Sequence, residues 1–383
     1  MNLTGSKVIN YSRGFIKKYD TVLFVTVCLL IASGLVMVYS TSAMASINLY
    51  GTSYHFLIRQ IVYAVISVAC MVFFMKNDYH ILKSYYKLFL FISIFLLILV
   101  FVPHIGLAAG GSKRWINLKV LTIEPSEFLK IAYVIFLAAF LERKKDMISN
   151  NSHSLIFLSP LFLMGFLDIL LLKEPDFGTT AILFFMTMIM FFVGGISLVY
   201  IMSIIFLGSA AAYALIFTVT YRRDRILAFL HPFHDKSGIG FQIVQSIFAF
   251  ARGGLFGVGL GNGKEKLFFL PTPYSDFIFS TVGEELGFLG VIFFIALYLI
   301  LAYRGLKIAL SAPDLFGTYL AFGMTFLLVL STLINIGVVT DFLPTKGLAL
   351  PFMSYGGSSL LASAIAVGIL LNVSSQSVKG KHF

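Results

Sequence analysis

The sequence predicts an all-α polytopic membrane protein: a bundle of about ten transmembrane helices with one long extracytoplasmic loop. Two features of composition support this fold class, because 59% of the 383 residues are hydrophobic and only 12% are charged. Soluble domains carry about 25% charged residues, so the composition excludes an ordinary soluble fold. The third observation is a series of apolar runs, each close to the length that crosses a bilayer.

Ten such runs follow one another, and a membrane-spanning helix needs about 20 apolar residues. The first run begins after Lys17 and Lys18 and is long enough to remain as a signal-anchor helix. The ten runs cover residues 21–42, 56–75, 84–103, 125–141, 154–172, 177–193, 195–217, 281–303, 315–338 and 350–373.

Lys and Arg residues near the ends of these runs predict the orientation, because cytoplasmic loops carry an excess of both. They cluster before the first run and after the fourth and eighth runs. We therefore expect both termini in the cytoplasm and a single domain over 1–383, with cytoplasmic tails at 1–20 and 374–383. The polar segment 218–280 is the expected large extracytoplasmic loop.

The net charge of +11 fits a protein that meets anionic lipids and phosphate-bearing substrates. No nucleic-acid partner is expected, because the basic residues are scattered over loops on both sides of the membrane. Cys28 and Cys70 lie in apolar runs, which excludes a disulfide framework. The glycine run 253–263 lacks the Gly-Lys-Ser/Thr of a nucleotide loop, so we expect tight turns or close backbone approach there.

Ionisable residues of the apolar runs gather toward the outer side of this topology. Charges within membrane helices normally face a bundle interior or a water-filled cavity and pair with one another. The pattern predicts a polar cavity open to the outer leaflet; the alternative is that each residue reaches interfacial water by itself. These residues are Arg59, Glu127, Lys130, Asp168, Glu174, Asp176, Asp276, Glu284 and Glu285.

Asp276 lies between prolines and aromatic residues, just where the eighth run begins. A carboxylate at the water–lipid boundary is costly unless it has a task there. Burial against Tyr274, Phe277 and Phe279 would raise its pKa, which suits a group that abstracts a proton. We interpret Asp276 as a candidate catalytic base.

Two other loops carry candidate chemistry. Lys113 and Arg114 stand beside glycines and Trp115, which suits a lipid-linked phosphate, although an aromatic-belt anchor is the alternative. His231 and His234 have the spacing of a metal motif, but two His residues three apart in a loop are more often structural.

The motifs of the chain occur in an order that resembles the SEDS family (shape, elongation, division and sporulation). The resemblance spans nearly the whole chain and is closer to the division-type branch than to the elongation-type branch, which stays the alternative. Glu124 and Glu174 depart from the pattern, because many members carry Gln at both positions. The motifs are Arg114-Trp115, Glu124–Lys130, Glu174–Gly178, Arg222–Leu230, Gly240–Ser246, Ser275–Phe279, Gly283–Gly287, Leu343–Gly347 and Leu350–Ser359.

This resemblance implies a peptidoglycan glycosyltransferase of the cytoplasmic (inner) membrane, with both termini inside. Such enzymes polymerise lipid II on the outer face, together with a class B penicillin-binding protein, a transpeptidase, and other membrane proteins of the division machinery. The C4 hydroxyl of a GlcNAc attacks C1 of a MurNAc, the configuration inverts and undecaprenyl pyrophosphate leaves. Asp276 would take the hydroxyl proton.

Cations that neutralise the leaving pyrophosphate lower the barrier. A divalent cation, Mg²⁺ or Mn²⁺, could add to the basic side chains, and no nucleotide is needed. The segment that contains Ser354 and Ser358 could supply hydrogen-bond donors or could be a packing turn. The expected substrate-binding residues are Arg59, Arg114, Glu127, Lys130, Asp176, Arg252, Lys346, Ser354 and Ser358.

Two other classes of function fit some of these features. A lipid II flippase would use the same cavity, but transport needs a charged path to the inner leaflet, where the runs hold almost no ionisable residues. A non-catalytic scaffold would give Asp276 and the basic residues no reason to share one leaflet. The sequence therefore favours the enzyme.

Overall fold

The computed structural model describes residues 19–109, 112–117, 122–149, 156–233, 240–265, 273–345 and 347–377. Each of the ten predicted runs forms a helix there, and two further helices and three short strands are present. The helices are α1 (Thr21–Tyr50), α2 (His55–Lys76), α3 (His80–Leu99), α4 (Pro125–Ser149), α5 (Leu158–Lys173), α6 (Phe177–Val193), α7 (Leu198–Phe217), α8 (Thr220–Leu230), α9 (Gly240–Gly253), α10 (Ile278–Leu310), α11 (Leu315–Val339) and α12 (Gly357–Gln376).

Seven of the described helices are long and apolar enough to cross a membrane: α1, α2, α3, α7, α10, α11 and α12. Helix α6 is apolar but only 17 residues long, and α5 has 16 residues. Helix α4 has 25 residues and carries charged residues near both of its ends. The chain is therefore a multi-pass membrane protein, and the predicted fold class is confirmed.

Successive membrane helices alternate in direction, so their ends collect at two opposite ends of the bundle. At one end, Arg304 of α10 binds Asp20 before α1, and Asn372 of α12 accepts a hydrogen bond from the Tyr79 N–H before α3 at 3.0 Å. We call this the Asp20 end. The opposite end holds the turns before α2, α4, α6 and α10, and we call it the Asp276 end.

Helix α12 lies at the centre of the bundle, packed against α2, α4 and α11. A Cβ on Gly368 would lie 2.6 Å from the Met71 carbonyl oxygen, so the two backbones touch. Small residues allow such close approach of membrane helices. Helix α7 is the opposite case: Ile201 is its only buried residue, so its surface is left for lipid.

Three features differ from the sequence prediction. Strands β1 (Gly106–Ala109), β2 (Ser112–Asn117) and β3 (Thr122–Ile123) form an antiparallel sheet before α4, where a loop was expected. Strands this short leave almost no alternation for a pattern to show. Helix α12 begins at Gly357 instead of residue 350, because residues 351–355 form turns that are largely buried.

The third difference lies in the expected long loop 218–280, which contains α8 and α9. Helix α9 packs against α10 and α11 and buries Gly240, Ile243, Ser246, Ala249 and Gly253, at the spacings of three and four residues that define one helical face. Its 14 residues are too few to span a bilayer, so hydropathy over spanning lengths does not indicate this helix. The tail residues 1–18 and 378–383, together with His234 and Lys346, lie outside the described residues.

Candidate functional site

Asp276 lies at the Asp276 end, in the turn that leads into α10. The Ser275 hydroxyl donates a hydrogen bond to Asp276 Oδ1 at 2.7 Å. The backbone of this turn is fixed by the turns before α12: the Ser354 hydroxyl donates to the Ser275 carbonyl at 2.6 Å, and the Tyr355 N–H donates to the Tyr274 carbonyl at 2.8 Å. The candidate base is therefore held by backbone contacts that leave its carboxylate available.

Asn335 of α11 joins this turn to the loop before α12. Its amide donates to the Asp276 carbonyl at 2.9 Å and to the Leu348 carbonyl at 2.6 Å, and the residue is 2% exposed. On the other side of Asp276, a Cβ on Gly347 would lie 2.7 Å from Oδ2. The carboxylate thus lies directly against the Gly347 backbone, and a side chain at residue 347 would require Oδ2 to move.

Burial raises the pKa of Asp276 above its ordinary value. The Ser275 hydrogen bond and the positive charges of Arg114 and Arg225 act in the opposite direction and lower this pKa. Burial dominates, which agrees with the direction expected from the sequence. A carboxylate with a raised pKa is a stronger base, and that is the property that proton abstraction needs.

Glu127 and Lys130 form an ion pair one helical turn apart at the start of α4. Their Oε1 and Nζ atoms are 2.8 Å apart, and the two side chains are only 11% and 6% exposed. They line a small cavity of about 20 Å³ with Ser331 of α11 and Ser363 of α12. Such a volume holds about one water molecule. Of the charged residues expected in a polar cavity, only Glu127 and Lys130 line this one, so a cavity open to the outer leaflet stays a prediction.

Arg114 of β2 binds the turn between α5 and α6. Its Nε donates to the Glu174 carbonyl at 3.2 Å, its Nη2 donates to the Pro175 carbonyl at 2.5 Å, and its Nη1 is 3.9 Å from Asp176 Oδ1. Asp176 also caps α6 by accepting the Thr179 N–H at 3.2 Å. Arg114 and Asp176 thus lie together, and both have contacts with the protein itself.

Two further carboxyl groups lie beside this turn. Burial raises the pKa of Glu174 to about 9, the negative charges of Asp176 and Glu124 add to the rise, and Arg114 opposes it. Burial and the Glu127 charge likewise raise the pKa of Glu124. Both oxygens of the Glu174 carboxyl are buried without a hydrogen-bond partner among the described residues. These groups therefore hold protons more tightly than free carboxylates do.

Arg59 lies in the first turns of α2 and is exposed. Burial raises the pKa of the nearby Tyr355, and the charge of Arg59 and its hydrogen bond to that hydroxyl lower it. Phe56, one turn earlier, stacks on Tyr274 with ring centroids 4.9 Å apart. Arg59 is thus linked through Tyr355 to the turn that carries Asp276.

The two predicted serines have structural partners. Ser354 also accepts the Leu350 N–H at 2.8 Å, and Ser358 accepts the Glu124 N–H at 2.9 Å, which ties α12 to the start of α4. These contacts favour the packing interpretation of their segment.

Arg252, at the end of α9, is engaged by two acidic residues. Its Nη1 lies 2.9 Å from Glu265 Oε1 and 3.6 Å from Glu284 Oε1. Glu284 is fully buried in α10, and its carboxylate accepts the Lys264 N–H at 2.7 Å. The structure therefore gives Arg252 a role in holding the glycine run, and its predicted contact with substrate stays a prediction.

Sequence reasoning missed Asn335 and Arg225 as parts of this site. Asn335 offered a signal, because an amide within an apolar membrane run needs a partner. Arg225 belonged to a recognised motif, but nothing along the chain connects it with Asp276. Among the described residues, no three His, Cys, Asp or Glu side chains form a group that could hold a metal ion.

The sequence profile of the FtsW, RodA and SpoVE family of cell cycle proteins matches residues 20–379. The chain is 44% identical over 361 residues to the probable peptidoglycan glycosyltransferase FtsW of Geobacter metallireducens, covering 94% of this chain and 96% of that protein. It is 40% identical over 358 residues to stage V sporulation protein E of Bacillus subtilis, covering 94% and 97% of the two chains.

Two solved structures have the same fold. The crystal structure of RodA, a rod shape determining protein of Thermus thermophilus, superposes with a TM-score of 0.66 at 25% identity, covering 94% of this chain and 98% of that one. A chain from a structure of a peptidoglycan synthase complex that coordinates polymerization and crosslinking gives a TM-score of 0.74 at 28% identity, covering 93% and 97%.

Proposed function

The chain belongs to the FtsW, RodA and SpoVE family of cell cycle proteins, and on that premise we propose that it is a peptidoglycan glycosyltransferase. It polymerises lipid II at the outer face of the cytoplasmic membrane, with both termini in the cytoplasm. In this orientation the Asp276 end faces outward and the Asp20 end faces the cytoplasm.

The single observation that carries the proposal is the state of Asp276. Asn335 binds its backbone carbonyl, Tyr355 fixes the preceding part of the turn at Tyr274, burial raises its pKa, and the hydrogen bond that the described residues give its carboxylate comes from Ser275. Such a group is positioned and basic enough to accept the proton of the acceptor C4 hydroxyl. The oxygen then attacks C1 of the donor MurNAc, and inversion expels undecaprenyl pyrophosphate.

The positive side chains at this end would bind the pyrophosphate as its charge grows. Arg59 is exposed and hydrogen-bonded to the Tyr355 hydroxyl, whereas Lys130 lies in the cavity with Glu127 as a partner that fixes its position. Arg114 would act with a side chain already oriented by the turn at Glu174. Lys346 lies outside the described residues and stays a predicted contact.

The described side chains do not fit a resident metal site, because they offer no group of three ligands. We derive no step of the reaction through a metal ion. The predicted Mg²⁺ or Mn²⁺ would arrive with the pyrophosphate, whose oxygens would be its main ligands.

The relatives favour a role in division over one in elongation. Identity is 44% with an FtsW and 25% with a RodA of solved structure. We propose a class B penicillin-binding protein as the partner, supported by the likeness to a chain of a complex that couples polymerization to crosslinking.

The test is a reconstitution of the purified protein with its transpeptidase partner in nanodiscs, supplied with labelled lipid II. The expected product is a ladder of glycan strands that muramidase digests, and Asp276→Asn should produce none. A flippase would give no ladder in nanodiscs but would move labelled lipid II across liposome membranes. The proposal would be overturned if the protein formed no ladder but moved lipid II across liposome membranes, and if Asp276→Asn transported lipid II as well as the wild type.

A further inference from the structure

The glycine run 253–263 does not extend away from the membrane domain but lies along α10. The chain after α9 pairs with α10 through backbone hydrogen bonds, as neighbouring strands would. The bonds are Val258 N–H to Glu284 O at 3.0 Å, Gly259 N–H to Glu285 O at 3.0 Å, Phe288 N–H to Gly254 O at 2.9 Å and Leu289 N–H to Leu255 O at 3.2 Å.

Two glycines make this pairing possible. Gly287 has a φ of +66°, which interrupts α10 and exposes backbone groups on either side of it. Gly257 has a φ of +79°, and a Cβ there would lie 2.2 Å from the Glu285 carbonyl oxygen. Only glycine adopts such angles readily, so the close backbone contact that the sequence suggested for this run is confirmed and its partner is α10.

The depth of the contact follows from the length of α10. The stretch from Phe288 to Lys307 is helical and rises about 28 Å, at about 1.5 Å per residue. The hydrocarbon core of a bilayer is about 30 Å thick, so with Lys307 at one boundary Phe288 lies at the other. Exposure agrees, because residues 278–285 are all buried whereas Phe288 and Leu289 are 55% and 53% exposed.

At that same level the glycine run presents large apolar side chains. Leu255 is 63% exposed, Phe256 is 79% exposed and Leu260 is 54% exposed. Arg252, with its side chain 43% exposed, and the exposed Lys264 stand at the two ends of the run, where anionic headgroups would meet them. The apolar surface is thus continuous with the lipid-facing surface of α10.

We propose that residues 253–263 form a membrane-inserted loop beside α10, whose Leu255, Phe256 and Leu260 side chains contact lipid acyl chains of the leaflet at the Asp276 end. Irregular backbone is tolerated at membrane depth only where its polar groups are satisfied within the protein. The backbone hydrogen bonds between the glycine run and α10 satisfy these polar groups. The proposal needs only that α10 spans a bilayer, so it holds for either orientation of the protein.

Tryptophan reporters test the depth in nanodiscs that contain lipids brominated on the upper part of the acyl chain. Trp115 is the only native tryptophan, so the reporters are placed in a Trp115→Phe background. The test variant is Phe256→Trp. Phe293→Trp, on the lipid-facing side of α10, is the embedded control, and Phe342→Trp, 80% exposed beyond the end of α11, is the control outside the hydrocarbon.

We expect bromine to quench the residue 256 reporter like the residue 293 reporter, and about twofold or more above the residue 342 reporter, because the side chain inserts among acyl chains. Quenching by soluble acrylamide should show the reverse order. If the residue 256 reporter follows the residue 342 reporter with both quenchers, the proposal is wrong. Protection that develops only when the transpeptidase partner is added would assign the patch to a protein contact and would also overturn it.

A second measurement does not depend on the Trp115→Phe background. In a Cys28→Ser, Cys70→Ser protein, Leu255→Cys should react with a membrane-impermeant maleimide about tenfold slower than Asn262→Cys, because the reagent does not enter the hydrocarbon. Asn262 lies in the same run but is polar and exposed. Equal rates at the two positions would contradict lipid insertion.

Discussion

Asp314 at the Asp20 end and Asp276 at the Asp276 end have carboxyl groups whose pKa values are shifted in opposite directions. At the Asp20 end, burial raises the pKa of Asp314, but hydrogen bonds from Tyr79 and the Gly317 N–H, together with His80, lower it more, so the net direction is down. At the Asp276 end, burial outweighs the hydrogen bonds and charges, and the pKa of Asp276 is raised.

The difference in partners explains this contrast. His80 lies 2.7 Å from Asp78 and 3.1 Å from Asp314, and Lys83 lies 2.7 Å from Glu142, so acids at the Asp20 end are matched with bases. At the Asp276 end, the Glu174 carboxyl has no hydrogen-bond partner among the described residues, and burial outweighs the nearby positive charges at both Glu174 and Asp276, so the pKa values of these two groups rise. One end is therefore built to hold helices together, whereas the other keeps carboxyl groups able to exchange protons.

The largest expected effect is on catalysis at the Asp276 end. Asp276→Asn is nearly isosteric and removes only the ability to accept a proton, so lipid II polymerisation should fall about 10²–10⁴-fold. Asp314→Asn, the matched change at the Asp20 end, should keep the wild-type rate once folded. A glycan ladder assay on both purified variants measures the effect, and equal activity of the two would remove the distinction between the ends.

The complementary change tests stability at the Asp20 end. Arg304→Gln removes a charge-assisted contact with Asp20, which is worth about 1.5–3 kcal/mol, so the melting temperature should drop. Asp276→Asn should melt like the wild type. Thermal unfolding in detergent compares the two variants, and a larger loss for Asp276→Asn would reverse the assignment of roles.

Asn335 offers a sharper test, because it acts on Asp276 through the backbone. Asn335→Ala leaves the carbonyls of Asp276 and Leu348 unpaired, and we expect about a tenfold lower kcat, equivalent to about 1.4 kcal/mol, with little change in KM. Thr332→Val is the control, since its hydroxyl bonds only within α11, to the Leu328 carbonyl. A rise in KM alone would place Asn335 in substrate binding instead.

The pH dependence should follow the raised pKa of Asp276. The base must be ionised to accept a proton, so polymerisation should decline as the pH falls through this raised pKa. Arg225 lowers the pKa of Asp276, and its removal in Arg225→Gln should therefore shift the acidic limb of kcat/KM to higher pH. A limb that stays in place would show that another group controls it.

The last expected effect is on stability at high pH and concerns Glu174. Its pKa is raised from 4.5 to about 9, so between these values the folded state keeps a proton that the unfolded state releases. Stability contributed by this group is therefore complete at low pH and is lost as the pH rises toward 9. Glu174→Gln should melt like the wild type near pH 5 and at a higher temperature near pH 9. Identical melting of the two proteins at both pH values would contradict a raised pKa.

The sequence by itself determined the apolar spans, and the family matches confirm its SEDS resemblance; the outer position of the charges and the role of Asp276 as the base are its predictions. Hydropathy and motif order are carried by neighbouring residues, so they can be recognised along one chain. Strands of two to six residues, and the helix α9, are too short for the same pattern to appear.

The tertiary structure alone decided which groups meet. Asn335 lies 59 residues from Asp276, and the Ser40 hydroxyl that donates to Glu285 lies 245 residues away. The tertiary structure also pairs Arg252 with Glu265 and Glu284, and it places the glycine run against α10. Such contacts depend on how separate helices pack, because a buried polar group takes whichever partner packing brings within reach, and no local pattern records that choice.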